Sequence, residues 1–161
     1  MNRIIKAIIA GFLTATLFLI ILPMFFAKLG IILGLPSFNT MIAKFTGAIL
    51  FTMGLSIAAL CTFVFIRKGD GTPAPIEPPK KLVCDTIYSL GRNPMYIGYF
   101  LMIIGETLFT GHSGLIIYAF LLIPGIHYYV VFFEEPKLQR RFGKCYLHYK
   151  LKTPRWIGKL Y

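Results

Sequence analysis

The sequence predicts an all-α integral membrane protein with about four transmembrane helices, two single spans followed by a helical hairpin, and an amphipathic C-terminal helix on the cytoplasmic face. Three observations carry that prediction. Hydrophobic residues make up 57% of the 161 and charged residues only 14%, more apolar surface than one soluble domain of this length could bury. Two uncharged stretches are long enough to cross a bilayer, and fifteen of the seventeen basic residues flank the apolar stretches on one side.

The first two spans are Ala7 to Phe26 and Phe45 to Ile66. Each supplies the ~20 residues that cross ~30 Å of hydrocarbon as a helix. Gly11 with Ala15, and Gly54 with Ala58, are small pairs four apart; they permit close helix approach, and with it a homodimer, or reflect ordinary membrane composition. Ala7 to Phe26 is too long for a signal-peptide core and is expected to stay. Ile97 to Thr110 is shorter and holds Gly105 and Glu106, Gly111-His112-Ser113-Gly114 reads as a turn, and Leu115 to Phe133 is again long enough to span. Pro124-Gly125 should kink that second arm, because proline removes an amide donor and crowds the preceding turn.

Arg3 and Lys6, then Arg67, Lys68, Lys80, Lys81 and Arg92, then Lys137 and the basic residues after it form the charged side; only Lys28 and Lys44 oppose them. That side is expected to be cytoplasmic, with both termini. A net charge of +11 spread along membrane flanks is explained by anionic headgroups, so no nucleic-acid partner is expected. Cys61, Cys84 and Cys145 are expected as free thiols, and no Cys/His cluster has metal-ligand spacing. The chain reads as one domain, 1–161: spans in 1–66, a cytoplasmic Pro-rich strap in 67–94, the hairpin in 95–133 and a C-terminal segment in 134–161. Gly69 to Pro79 favours extended polyproline conformation, and Gly69-Asp70-Gly71 lacks the flanking strand and helix of a dinucleotide site.

Two polar clusters bracket the hairpin. After Glu134-Glu135, the residues Leu138, Phe142, Tyr146 and Tyr149 recur at four, four and three, one face of a surface helix whose other face carries Lys137, Arg140, Arg141 and Lys144. Adjacent carboxylates at that depth are costly without partners, and neighbouring helical positions point about 100° apart. One glutamate could hold a ligand while the other pairs with Arg92, Arg140 or Arg141; alternatively both are solvated. Arg92-Asn93-Pro94 can likewise be a helix start, with Asn93 as cap and Pro94 in the first turn. Glu106, His127 and His148 are candidate bases, each with a plain alternative: solvation for Glu106, a carbonyl partner for His127, the surface for His148.

Arg92-Asn93-Pro94-Met95-Tyr96-x-Gly98, Glu134-Glu135-x-x-Leu138-x-x-x-Phe142-Gly143-x-x-Tyr146-x-x-Tyr149 and Pro154-Arg155-Trp156 together resemble the isoprenylcysteine carboxyl methyltransferase and phospholipid methyltransferase superfamily. The strap from Thr72 to Val83 resembles its small prokaryotic members. The resemblance covers Gly71 to Trp156, and implies a prokaryotic cytoplasmic membrane and an S-adenosylmethionine-dependent enzyme methylating a lipophilic acceptor, an isoprenylcysteine-type carboxylate or a lipid amine. It also implies a cofactor site of Arg92, Asn93, Tyr96, Gly98, Glu134, Glu135, Tyr146 and Tyr149, with Arg92 and Glu135 as the catalytic pair and no metal. Two positions depart: Asn93 where isoprenylcysteine enzymes resemble Arg-His-Pro, and Thr86 where a glycine is common. Rival readings are an NADPH-dependent membrane reductase of related fold, against which Glu134-Glu135 would repel a phosphorylated dinucleotide, and a non-enzymatic scaffold or transporter subunit.

Overall fold

The computed structural model describes residues 3–70 and 80–158. Among these the fold is helical, with no strand beyond an isolated bridge between Ser37 and His112. Three helical runs are long and apolar enough to cross a membrane, Gly11–Ile32, Met41–Gly69 and Gly114–Phe142, and Pro94–Thr110 is a shorter apolar helix. Their outer surfaces expose large apolar side chains, Phe12 at 71%, Ile42 at 81% and Phe120 at 77% among them, as expected where lipid is the solvent.

The first run is α1 (Arg3–Thr16), a π-helical turn at Leu17–Ile21, and α2 (Leu22–Ile32). The wide turn ends just before Pro23, with the Leu22 amide reaching back to the Leu17 carbonyl, which relieves the crowding of a proline inside a helix. Helix α3 (Met41–Val64) is capped by Thr40, whose side chain accepts from the Ala43 amide, and ends in a second π-helical turn at Phe65–Gly69. Helix α4 (Pro94–Thr110) returns antiparallel to it. The α3–α4 contact is a glycine seam: a Cβ on Gly54 would lie 2.4 Å from the Gly98 carbonyl oxygen, and one on Gly47 would lie 2.6 Å from that of Gly105. The Gly54–Ala58 pair is therefore used within the chain, against Gly98, whereas Gly11 faces open space.

Gly111 closes α4 in the left-handed region, and α5 (Gly114–Tyr129) begins at once. The α2–α3 loop is joined to this turn, with the Phe38 amide donating to the Gly111 carbonyl at 3.0 Å and the Ser113 hydroxyl to the Pro36 carbonyl. Both tips therefore lie at one end of the bundle. The α3 C-terminus, the α4 N-terminus and the far end of α5 lie at the other.

Helix α5 carries Pro124 within its length, and a π-helical turn follows at Val130–Glu134, just before Pro136. Two expectations need amendment. The second hairpin arm does not stop at Phe133 but continues through Glu134 and Glu135 to Phe142. The single C-terminal amphipathic helix is two, α6 (Glu135–Phe142) and α7 (Lys144–Lys152), broken at Gly143 with φ 54° and ψ −128°, a conformation that favours glycine. The Pro-rich strap at 71–79 lies outside the described residues. Its described flanks meet, the Gly69 carbonyl accepting from the amides of Lys80 and Lys81 at 2.8 and 3.1 Å.

Thr86 has φ 54°. A β-branched residue in that region carries about 1–2 kcal/mol of strain, against the ~0.5–1 kcal/mol entropic cost of glycine. Thr86→Gly is therefore expected to stabilise the fold by up to about 1 kcal/mol and to raise the thermal midpoint in detergent by roughly 2–4 °C; a lowered midpoint in a melting series would contradict this.

Candidate functional site: a buried ion cluster beside an apolar cavity

The segment before α4 and the segment after α7 are laid side by side. The Arg92 amide donates to the Pro154 carbonyl at 2.9 Å, and Asn93 Nδ2 donates to the Arg155 carbonyl at 3.0 Å. Asn93 occupies the N-cap position but makes no side-chain cap; its amide serves the C-terminal segment instead. The approach is so close that a Cβ on Gly91 would lie 1.6 Å from the Trp156 carbonyl oxygen.

This pairing turns Arg92 inward. Its side chain is 6% exposed, with one Nη 3.1 Å from Glu135 Oε1 and the other donating to the Tyr146 hydroxyl at 3.2 Å. Its Nε is buried and has no partner. Glu135 is 3% exposed. It is gripped by Arg155, Nε to Oε1 at 2.6 Å and Nη2 to Oε2 at 3.3 Å, and by Lys150 Nζ at 3.2 Å from Oε2. One carboxylate thus faces three cations; Glu135 and Arg92 are withdrawn from water, while Lys150 and Arg155 remain partly solvated. The hydrogen bond to Glu135 holds the Arg155 guanidinium above its ordinary range, and burial raises the Tyr146 and Tyr149 hydroxyls.

Glu134 points elsewhere, as adjacent helical positions must. Its Oε2 accepts from the Tyr96 hydroxyl at 2.8 Å, and Tyr96 lines a cavity of about 580 Å³ between the Gly11–Ile32 run, α4 and α5. Apolar and aromatic side chains form nearly all of its wall, including Phe18, Leu19, Tyr99, Ile103 and Tyr129. A smaller cavity of about 280 Å³ is lined by Glu135, Gln139, Arg140 and Lys150 together with Val131 and Pro136.

Arg92, Glu135 and Tyr146 are therefore in direct contact, Asn93 is hydrogen-bonded beside them, and Tyr96 joins Glu134. Gly98 stands apart, and Tyr149 reaches the cluster only through its ring, edge-on to that of Tyr146 with centroids 6.3 Å apart. Gly98 faces α3 at the glycine seam, and the Tyr149 hydroxyl donates to the Tyr88 carbonyl at 2.6 Å inside a small core with Cys61, Val64 and Val83. Arg140 is not a partner of Glu135 through an ion pair; Lys150 and Arg155 are. Both were visible only as flanking charge, although Arg155 sits inside the Pro-Arg-Trp string. His127 Nδ1 accepts from Trp156 Nε1 at 3.1 Å, so His127 fastens the C-terminal segment. Glu106 lies ten residues along α4 from Tyr96, about 15 Å by helical rise, and His148 is exposed. Among the described residues no group of His, Cys, Asp and Glu could hold a metal, and Cys61, Cys84 and Cys145 are free.

A helical membrane bundle with a buried ion cluster at one end and an apolar cavity next to it is suited to act on molecules that lie in the bilayer. Residues 42–145, nearly two thirds of the chain, match the family model described as phospholipid methyltransferase. The chain belongs to that family, and a methyltransferase acting at the membrane is what the family implies. No curated protein and no solved structure matches it.

Proposed function

We propose that the protein is an S-adenosylmethionine-dependent methyltransferase whose acceptor is lipophilic and reaches the site from the bilayer, at the cytoplasmic face. The observation that carries this reading is the buried Arg92–Glu135 pair, with an unpartnered Arg92 Nε, set beside an apolar cavity. Buried donors without acceptors are rare in folded proteins, and a ligand carboxylate would satisfy this one.

The residues fit such a cofactor. Arg92 would hold its carboxylate, Glu134 or Glu135 its amino or ribose groups, and the tyrosine faces its positive charge, a contact worth roughly 0.5–2 kcal/mol depending on desolvation. When bound, the cofactor supplies an electrophilic methyl group that needs no metal. The protein's part is then largely positional, holding the acceptor's nucleophile in line while the apolar wall excludes water. A carboxylate acceptor needs no base, whereas an amine must lose a proton; Glu134, which already accepts from Tyr96 of the cavity wall, is a carboxylate placed to receive it.

Glu135 is more than neutralised by Arg92, Lys150 and Arg155, so repulsion of phosphates is not expected, and the family match is what favours methyl transfer. The test is to supply membranes containing the protein with methyl-labelled S-adenosylmethionine and extract the lipids. Label in one lipid species that disappears with Arg92→Ala supports the proposal; label confined to the aqueous phase at every protein level refutes it.

A further inference from the structure

We infer that the 580 Å³ cavity is a binding site for a single hydrocarbon chain, the acceptor's tail, and that the N-terminal span selects its length. This deepens the methyl-transfer reading and rests on it for the identity of the occupant. Four observations point the same way.

The cavity is the size of a small-molecule site, about 300–1,000 Å³, which suits one chain rather than the two of a diacyl lipid. It adjoins the polar site through Tyr96, which forms part of its wall and donates to Glu134 at 2.8 Å. A chain seated there brings its polar end to Glu134.

Its outer wall is not part of the family-matched region. Thr14, Ala15, Phe18, Leu19 and Phe26 line it, and all precede residue 42, where the match begins. Residues 42–145 supply the ion cluster's Arg92 and Glu135, while the N-terminal span encloses the tail.

That wall is fastened at identifiable points. The far end is pinned where Gly30 meets Gly114, a Cβ on Gly30 falling 2.8 Å from the Gly114 amide nitrogen. Midway, the Tyr118 hydroxyl donates to the Phe18 carbonyl at 2.8 Å. Phe18 lies in the π-helical turn Leu17–Ile21, and such turns loosen a carbonyl from the regular ladder and recur at functional sites. On the opposite wall Gly125 leaves open space, a Cβ there meeting nothing within 4 Å.

The test uses full-length protein in nanodiscs and a hexadecanol carrying a mid-chain diazirine. Photolabelling followed by peptide mapping is expected to mark Phe18, Leu19 and Leu122, and Gly125→Trp, which fills the cavity, to reduce that labelling roughly tenfold. Ala15→Phe fills it from the other wall and guards against one variant failing to fold. Competition by unlabelled alcohols should shift towards shorter chains in both variants, while S-adenosylhomocysteine binding stays unchanged. Labelling that falls only on outward residues such as Phe120 and Phe132, or that both variants leave intact, overturns the inference, as does equal competition by every chain length. If labelling behaves as expected but S-adenosylhomocysteine does not bind the wild type, the methyl-transfer reading fails and the chain site stands.

Discussion

Glu135→Gln is expected to weaken S-adenosylhomocysteine binding by at least roughly a hundredfold and to abolish methyl transfer. The side chain keeps its shape, so the effect is electrostatic. Arg92 is 6% exposed and loses its only carboxylate, and breaking a buried pair by removing one partner costs about 3–5 kcal/mol. Lys150 and Arg155, 40% and 29% exposed, recover most of their loss through solvent. Arg92 then has no anchor to present it to a ligand, and about 2.7 kcal/mol of that loss corresponds to the hundredfold in affinity. The membrane helices, held by the glycine seam and not by this cluster, should keep their helicity. Lys144→Gln, at an exposed position, is the control. Equal affinity in Glu135→Gln and wild type, by equilibrium dialysis with matched circular dichroism, would remove Glu135 from the site.

The second large effect is structural. Gly54→Val is expected to lower the thermal midpoint in detergent by about 10 °C and to cost activity with it. The new Cβ falls 2.4 Å from the Gly98 carbonyl oxygen and 2.9 Å from the Met102 amide nitrogen. These are backbone atoms, so no rotamer change relieves the clash and α4 must move away. Overpacking costs about 1–3 kcal/mol where side chains can yield and more where they cannot, and for a chain of this size each kcal/mol is worth roughly 2–4 °C or more. Since α4 begins two residues after Arg92, the ion pair moves with it. Gly11→Val makes the same chemical change where nothing lies within 4 Å, and should be nearly silent. Equal midpoints for the two variants would refute the seam.

What could be read in the sequence follows from what the bilayer enforces. Long uncharged runs, the Gly111 turn and the charge asymmetry are each set by local chemistry, and a short turn between two arms brings the Arg92 and Glu135 ends together by topology alone. The partners within that cluster were harder. Arg140 and Arg141 are nearer to Glu135 in sequence, but the break at Gly143 reverses α7 so that Lys150 meets the carboxylate, and pairing of 91–93 with 154–156 adds Arg155. Periodicity over residues 138–149 cannot show that break, because a left-handed glycine leaves the apolar spacing intact. Gly98 sits in a ligand-like string, yet its neighbours are Gly54 and Ala58; only the helix crossing distinguishes packing from binding. Likewise prolines 23, 124 and 136 look alike in sequence, while π-helical turns precede only the first and last.

The most direct test of the ion cluster as a cofactor site is calorimetric titration of the purified protein in detergent with S-adenosylhomocysteine, and separately with NADPH. Saturable binding of S-adenosylhomocysteine, no heat with NADPH, and loss of the former in Arg92→Ala are the expected results. Binding of NADPH in its place, or of neither ligand by a folded protein, would contradict the assignment of Arg92 and Glu135.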